Sequence, residues 1–131
     1  MRSTPSQAAA IVPAAGRGKR LGEKVQKPFV LIAGKPLFIH TLTNLKRAFG
    51  FQEIVVPAAP SYVGRAKRCV RKFRIRKVKV VPGGRTRAES VRKGFEALSG
   101  QPKWIFVHDA ARPLVDRSLV QRLFRRAQKT G

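Results

Sequence analysis

The 131-residue chain has one cysteine, six acidic residues and no long apolar run. A single cysteine excludes an internal disulfide framework and a cysteine-based zinc site. It fits a reducing compartment. No apolar stretch approaches the ~20 residues that a membrane helix needs. Met1 to Ala10 lacks the apolar stretch of a signal peptide and is short for a transit peptide. The expected compartment is the cytoplasm; a plastid is the alternative, and the short N-terminus does not support it. Internal repeats, linkers and low-complexity segments are also missing, so a single domain over residues 1–131 is expected.

What the chain does have is positive charge. It carries 29 Lys and Arg against 6 Asp and Glu, a formal balance of +23. Such a field attracts polyanions: nucleotides, nucleic acid or acidic membrane surfaces. Nine of the fifteen residues from Arg65 to Lys79 are basic. Only Tyr62 and Phe73 lie near that run, and base stacking on a single strand usually needs interleaved aromatics. A solvated basic face is the plainer reading of this segment. Hydrophobic residues at 43% exclude a purely disordered basic tail.

Apolar patterning alternates strand and helix. Ala8 to Pro13 reads as a buried strand ending in the glycine-rich basic loop Ala14 to Gly22. Phe38, Leu42, Leu45 and Phe49 recur at helical spacing behind Pro36. Glu53 to Val56 reads as a second strand, closed by Pro57. Ser61 is the expected N-cap of a helix with Val63, Ala66, Val70 and Phe73 on one stripe. Lys77 to Val81 is a third strand, broken by Pro82-Gly83-Gly84. The next helix is expected to turn Ala88, Val91, Phe95 and Leu98 inward. Trp104 to Val107 is a fourth, buried strand, and the last helix starts at Asp116. Four strands alternating with four helices predict a Rossmann-like, mostly parallel α/β sheet with helices on both faces.

In such a sheet, ligands bind beyond the carboxyl ends of the strands. Three unusual segments fall there: the loop after the first strand, Gly83-Gly84, and His108-Asp109-Ala110-Ala111-Arg112-Pro113. Gly16 and Gly18 permit close backbone approach to an anion, with Lys19, Arg20 and Lys27 adding charge. The loop is no Walker motif, since Pro13 replaces the first glycine and Arg20 the Ser/Thr. Taken alone it reads as either a phosphate loop or an ordinary one. Asp109 at a strand end suits a hard cation, or else a helix cap or a salt bridge. His40, His108, Cys69 and Trp104 read as structural residues.

Together, Ile11-Val12-Pro13-Ala14-Ala15-Gly16-Arg17-Gly18-Lys19-Arg20, Ala33-Gly34-Lys35-Pro36-Leu37, His40-Thr41-Leu42, Gly83-Gly84-Arg85-Thr86-Arg87-Ala88-Glu89-Ser90-Val91 and Val107-His108-Asp109-Ala110-Ala111-Arg112-Pro113 form an ordered set. The set closely resembles the 2-C-methyl-D-erythritol 4-phosphate cytidylyltransferases of the non-mevalonate isoprenoid pathway. The resemblance implies a nucleotide-diphospho-sugar-transferase type of fold. It also implies attack of the methylerythritol phosphate on the α-phosphorus of CTP, with pyrophosphate leaving. On that reading Pro13, Ala14, Ala15, Gly16 and Gly18 belong to the CTP phosphate cradle. Arg20 and Lys27 stabilise the transition state. Gly83, Gly84 and Ser90 recognise cytosine, with Arg87 supporting their loop. Asp109 holds Mg2+, Ala110 lies against the ribose, and Arg112 positions Asp109 or the substrate phosphate. A homodimer is implied, and no membrane partner.

The sequence departs from the family in three ways. The family usually places proline before the lysine, whereas Pro28 follows Lys27 here. The net charge is unusually positive. The family's chain is also longer, so a dimer-forming arm, later strands and acceptor-binding residues are expected outside residues 1–131. The expectation is then a CTP-binding half of the enzyme. The alternatives are a related nucleotidyltransferase for a sugar phosphate or molybdopterin, a basic nucleic-acid-binding module, and a degenerate fold kept as an interaction surface.

Overall fold

The computed structural model describes residues 7–15 and 25–130. Its frame is a four-stranded sheet in the order β5-β4-β1-β6, parallel throughout. The strands are β1 (Ala8–Ile11), β4 (Glu53–Ala58), β5 (Val78–Pro82) and β6 (Trp104–Val107). A short antiparallel hairpin pairs β2 (Leu31–Ile32) with β3 (Lys35–Pro36). The helices are α1 (Leu37–Ala48), α2 (Val63–Lys72), α3 (Arg87–Glu96) and α4 (Arg117–Thr130). The expected parallel α/β architecture is what the chain forms.

Strand alternation sorts the two faces. Ala8, Ala10, Val12, Ile54, Val56 and Val80 join one apolar cluster with Phe38, Ile39, Leu42 and Leu45 of α1 and Ala66 of α2. Phe38, Ile39 and Leu42 are wholly buried, each stabilising the fold by about 1.5–3 kcal/mol relative to exposure. The opposite face takes α3, whose Gly94 sits against Ile11 and Pro57. On β6, Trp104 and Phe106 turn toward the first cluster. Phe124 of α4 packs on Phe49, Trp104 and Phe106 with ring centroids 4.8, 5.8 and 6.1 Å apart.

Several local expectations are corrected. β4 runs through Pro57 to Ala58, and Pro57 pairs with Val81. Its carbonyl accepts the Ala14 N–H at 2.7 Å. Lacking an N–H, it thins only the β1 side of the ladder, where registered pairs stop at Ile11 and Val55. Ser61 is not a cap: it lies in the 3-10 turn Pro60–Tyr62, and Tyr62 occupies the N-cap of α2 with no side-chain bond. α3 turns Ser90 and Gly94 inward and leaves Phe95 56% exposed. The helix lies so close to the sheet that a Cβ on Gly94 would stand 2.7 Å from Ile11 Cγ2. Only small residues fit that contact. β6 is an edge strand, not a buried one, with Val107 43% exposed. α3 packs on β1, β4 and β5, which leaves the Val107 face of β6 uncovered. Asp116 caps α4 as expected, accepting the Leu119 N–H at 3.2 Å.

Candidate active site

The strand order reverses beside β1. The chain steps from β1 to β4 and β5 on one side, then returns to place β6 on the other. Beyond the carboxyl ends of β1 and β6 lies the switch point, the usual crevice for a ligand. There the structure has a cavity of about 520 Å³. Pro13, Ala14, Ala15, Lys27, Arg87, Asp109 and Arg112, residues expected from the sequence to form a site, all line it.

The register of the sheet explains their meeting. β1 pairs with β6 up to Ile11 and Val107. The pairing then continues into both loops: His108 N–H donates to the Ile11 carbonyl at 3.0 Å, and Ala110 N–H to the Pro13 carbonyl at 3.1 Å. Asp109 is thereby carried along the exit of β1. Its Oδ1 accepts the Ala111 N–H at 2.9 Å, which shapes the turn. The ring of His108 contacts the Arg112 carbonyl through Nε2 at 2.8 Å, which ties the loop to itself.

Two residues of α1 hold this loop from below: Thr41, from the His40-Thr41-Leu42 segment, and Asn44, which the sequence did not single out. Thr41 Oγ1 donates to the Ala110 carbonyl at 2.8 Å, and Asn44 Nδ2 to the Pro113 carbonyl at 2.7 Å. They stand three residues apart, and so on one side of α1. Polar residues on the buried side of an amphipathic helix were the available signal; Thr41 is fully buried.

Lys27 enters from another direction. It opens the 3-10 turn Lys27–Phe29, whose Pro28 and Phe29 are buried. Phe29 packs on Phe38 and Tyr62 at centroid distances of 5.0 and 4.5 Å. Pro28 following the lysine therefore anchors the turn, and both residues line the cavity. The Ala33-Gly34 turn, with φ of 52° and 80°, closes the β2–β3 hairpin. His40 Nε2 bonds the Ile32 carbonyl at 2.6 Å and fastens that hairpin to α1.

The Gly83-Gly84 turn borders the site from β5. Gly83 is buried, and its N–H donates to the Ala58 carbonyl at 2.7 Å. A Cβ there would meet Ala15 Cβ at 2.5 Å; one on Gly84 would meet Glu89 Cβ at 2.4 Å. Both glycines are thus required by contacts within the chain, before any ligand is considered. Ser90 is buried beneath them, and its Oγ accepts the Gly84 N–H at 3.0 Å. Thr86 and Glu89 form a capping box at the start of α3. Gly83, Gly84 and Ser90 do not line the cavity. Nor does Ala110, which is wholly buried and held by Thr41. Gly16, Gly18, Lys19 and Arg20 lie outside the described residues.

Lys27, Arg87 and Arg112 face a single carboxylate, Asp109, so the described lining has a net charge of 3 − 1 = +2. A cavity of this sign at a parallel-sheet switch point suits a phosphorylated ligand. Fold and site together define a parallel α/β domain of the phosphate- or nucleotide-binding class.

The particular family follows from sequence. Residues 8–131 match the family described as IspD: 2-C-methyl-D-erythritol 4-phosphate cytidylyltransferase, and the chain belongs to that family. A cytidylyltransferase of that name from Thermotoga neapolitana is 36% identical over 123 residues, covering 93% of this chain and 54% of the relative. A D-ribitol-5-phosphate cytidylyltransferase from Xenopus tropicalis is 32% identical, covering 94% of this chain and 32% of its own length. Among solved structures, the bifunctional IspDF from Campylobacter jejuni superposes with a TM-score of 0.78 at 33% identity, covering 95% of this chain and 31% of that one. The chain spans about half the length of the curated relatives it matches, 54% and 56% in two of them.

Proposed function

We propose that this chain forms the CTP-binding part of a cytidylyltransferase whose acceptor is 2-C-methyl-D-erythritol 4-phosphate. One observation carries the reading: Pro13, Ala14, Ala15, Lys27, Arg87, Asp109 and Arg112 converge on one cavity at the switch point. In the reaction, an acceptor phosphate oxygen attacks the α-phosphorus of CTP. The bond from that phosphorus to the bridging oxygen breaks, and pyrophosphate leaves with the electron pair. Such transfer requires alignment and charge neutralisation.

The residues divide that work. The backbone at Pro13, Ala14 and Ala15, continuing into Gly16 and Gly18, lies against the triphosphate. Lys27, with Arg20, offsets charge that grows on the transferring phosphoryl group. Arg87 supports the Gly83-Gly84 turn, and the backbone of that turn reads the cytosine edge. Ser90 shapes the turn from beneath, and Ala110 fixes the loop against which the ribose lies. Arg112 takes the acceptor phosphate.

Asp109 fits a hard divalent cation. Its second carboxylate oxygen has no hydrogen bond among the described residues, and no group of three His, Cys, Asp or Glu surrounds it among them. Mg2+ is held in this manner, by one or two carboxylates together with phosphate oxygens and water. When bound, the cation would neutralise triphosphate charge. Asp109 would hold it, and the Ala111 N–H keeps that carboxylate oriented.

The relatives share a polyol phosphate as acceptor class, methylerythritol phosphate in one name and ribitol phosphate in the other. The test measures CTP binding with Mg2+ beside ATP, GTP and UTP, then pyrophosphate release with each acceptor. Selective CTP binding that persists in moderate salt supports the reading. Equal, salt-labile binding of all four nucleotides would sink it. Light scattering in the same preparation checks the homodimer implied by the family.

A further inference from the structure

A dense positive surface lies away from the cavity. Its centre is the turn Phe73–Lys77, which joins α2 to β5. Arg74 and Lys77 both have left-handed backbone there, φ 54° and 62°. These conformations are uncommon for residues with side chains. They hold Arg74, Arg76 and Lys77 on a compact exposed bend.

A groove lies on either side of the bend. The smaller, about 550 Å³, runs between α2 and the outer edge of β5, and Lys67, Arg71, Arg74, Arg76 and Lys79 line it. The larger, about 1020 Å³, crosses the amino ends of the strands, opposite the cavity. Its cations are Lys46, Arg47, Lys77 and Arg117. No acidic residue among the described residues lines either groove. Glu53 pairs with Lys79 at 3.4 Å, the one ion pair among the described residues. The other cations of the two grooves have no ion pair among the described residues. Burial first, then the charges of Lys77 and Arg76, hold the Lys46 ammonium below the ordinary lysine range. Its Nζ donates to the Arg76 carbonyl, which ties the ammonium to the backbone of the bend.

The larger groove also supplies what the basic segment lacks in sequence. Phe49, Trp104 and Phe124 line it, half-buried and packed on one another, with Gln52, Gln121 and Gln128 beside them. The two rings near the helix are already engaged: Tyr62 by Phe29 and Arg65, and Phe73 by Lys35 and Lys72. Cations and amides along a groove, with half-buried rings in its wall, suit a phosphodiester chain whose bases are unpaired. Concave grooves suit a flexible chain better than the flat plane of a lipid bilayer.

We propose that the Arg74–Lys77 bend and its two flanking grooves bind single-stranded nucleic acid, on the side of the domain opposite the nucleotide cavity. Neither the cavity nor its chemistry is involved, so the inference stands apart from the proposed transferase reaction.

The test titrates the full chain into a fluorescein-labelled, mixed-sequence single-stranded RNA over a range of salt. Two triple variants remove equal charge: Arg74→Gln/Arg76→Gln/Lys77→Gln on the bend, and Arg122→Gln/Arg125→Gln/Arg126→Gln on exposed positions of α4. Each phosphate contact contributes about 0.7 to the log–log salt slope on a single strand, so the bend variant should flatten the slope by about 2 and weaken binding about tenfold or more. The α4 variant should keep most of the slope. CTP should not displace the RNA. If the bend variant does not fold, each single Gln substitution at 74, 76 and 77 should flatten the slope by about 0.7. Equal losses in both triples would assign the binding to net charge and overturn the proposal. So would unchanged binding in the bend variant, or tighter binding to phosphatidylglycerol vesicles that depends on the same three residues.

Discussion

Thr41 and Ala110 are 69 residues apart in sequence and 2.8 Å apart in space, hydroxyl to carbonyl. This contact links the central helix of the core to the loop that carries Asp109. Thr41→Val keeps the shape and removes the donor. The buried Ala110 carbonyl then loses its partner, at a cost of about 1–3 kcal/mol. Chemical denaturation should report that loss. If Thr41 positions the loop, the variant should also need more Mg2+ for half-maximal CTP binding. Thr41→Ser, which restores the hydroxyl, should recover the Mg2+ requirement before it recovers full stability.

Asp109→Asn separates charge from shape. Asparagine retains an oxygen to accept the Ala111 N–H. Stability should change by less than about 0.5 kcal/mol, the usual range for substitutions without a packing change. Mg2+-dependent CTP binding should fall at least tenfold, the equivalent of about 1.4 kcal/mol. Calorimetric titration with and without EDTA reads both quantities. An unchanged Mg2+ dependence would remove Asp109 from the proposed cation site.

Gly94→Ala sets two effects against each other. Alanine favours a helix interior by about 1 kcal/mol over glycine. The new Cβ would stand 2.7 Å from Ile11 Cγ2 and 3.0 Å from the rigid ring of Pro57. Overpacking of that kind costs about 1–3 kcal/mol. The clash should win, and the melting temperature should fall. An increase would mean that α3 can move off the sheet freely.

Glu53 gives a pH-dependent expectation. Burial disfavours its charge, but the Ser99 N–H and hydroxyl and the Lys79 ammonium outweigh that and hold the carboxyl below its usual range. The Ser99 contacts are 2.8 and 2.9 Å. A carboxyl lowered on folding stabilises above its unfolded pKa of about 4.3, and the stabilisation fades as pH falls through the folded value. Glu53→Gln should therefore be less stable than the parent at pH 7, and the gap should narrow below about pH 4. Urea midpoints across pH check this; a constant gap would assign the loss to shape.

Much of the fold was legible in the residues. Alternation of short apolar runs with helical spacing places β1, β4, β5, β6 and four helices within a few residues of their observed ends. The glycine turn and the His108–Pro113 loop were correctly put at strand ends. The inward face of α3 was not legible. A hydrophobicity pattern favours Phe95, whereas the sheet approaches too closely to admit anything larger than Ser90 and Gly94. Pro57 reads locally as a strand end, yet a parallel ladder bonds alternate residues to opposite neighbours, so β4 continues along β5. The partners of Thr41 and Asn44 were hidden for a similar reason: their acceptors are carbonyls 69 residues away.

The order of elements, the excess of positive charge and the chemical types gathered at the site can be read from the residues alone, because periodicity and composition are local properties. Which of those residues face the cavity and which support it depends on how the strands pair. The pairing kept Lys27, Arg87, Asp109 and Arg112 at the wall and put Ser90 and Ala110 beneath it. It also drew the Lys46 side chain, the Arg74–Lys77 bend and three aromatic rings to the opposite edge. Strand order and register set these relations, and both arise from pairing between segments that are distant in the chain.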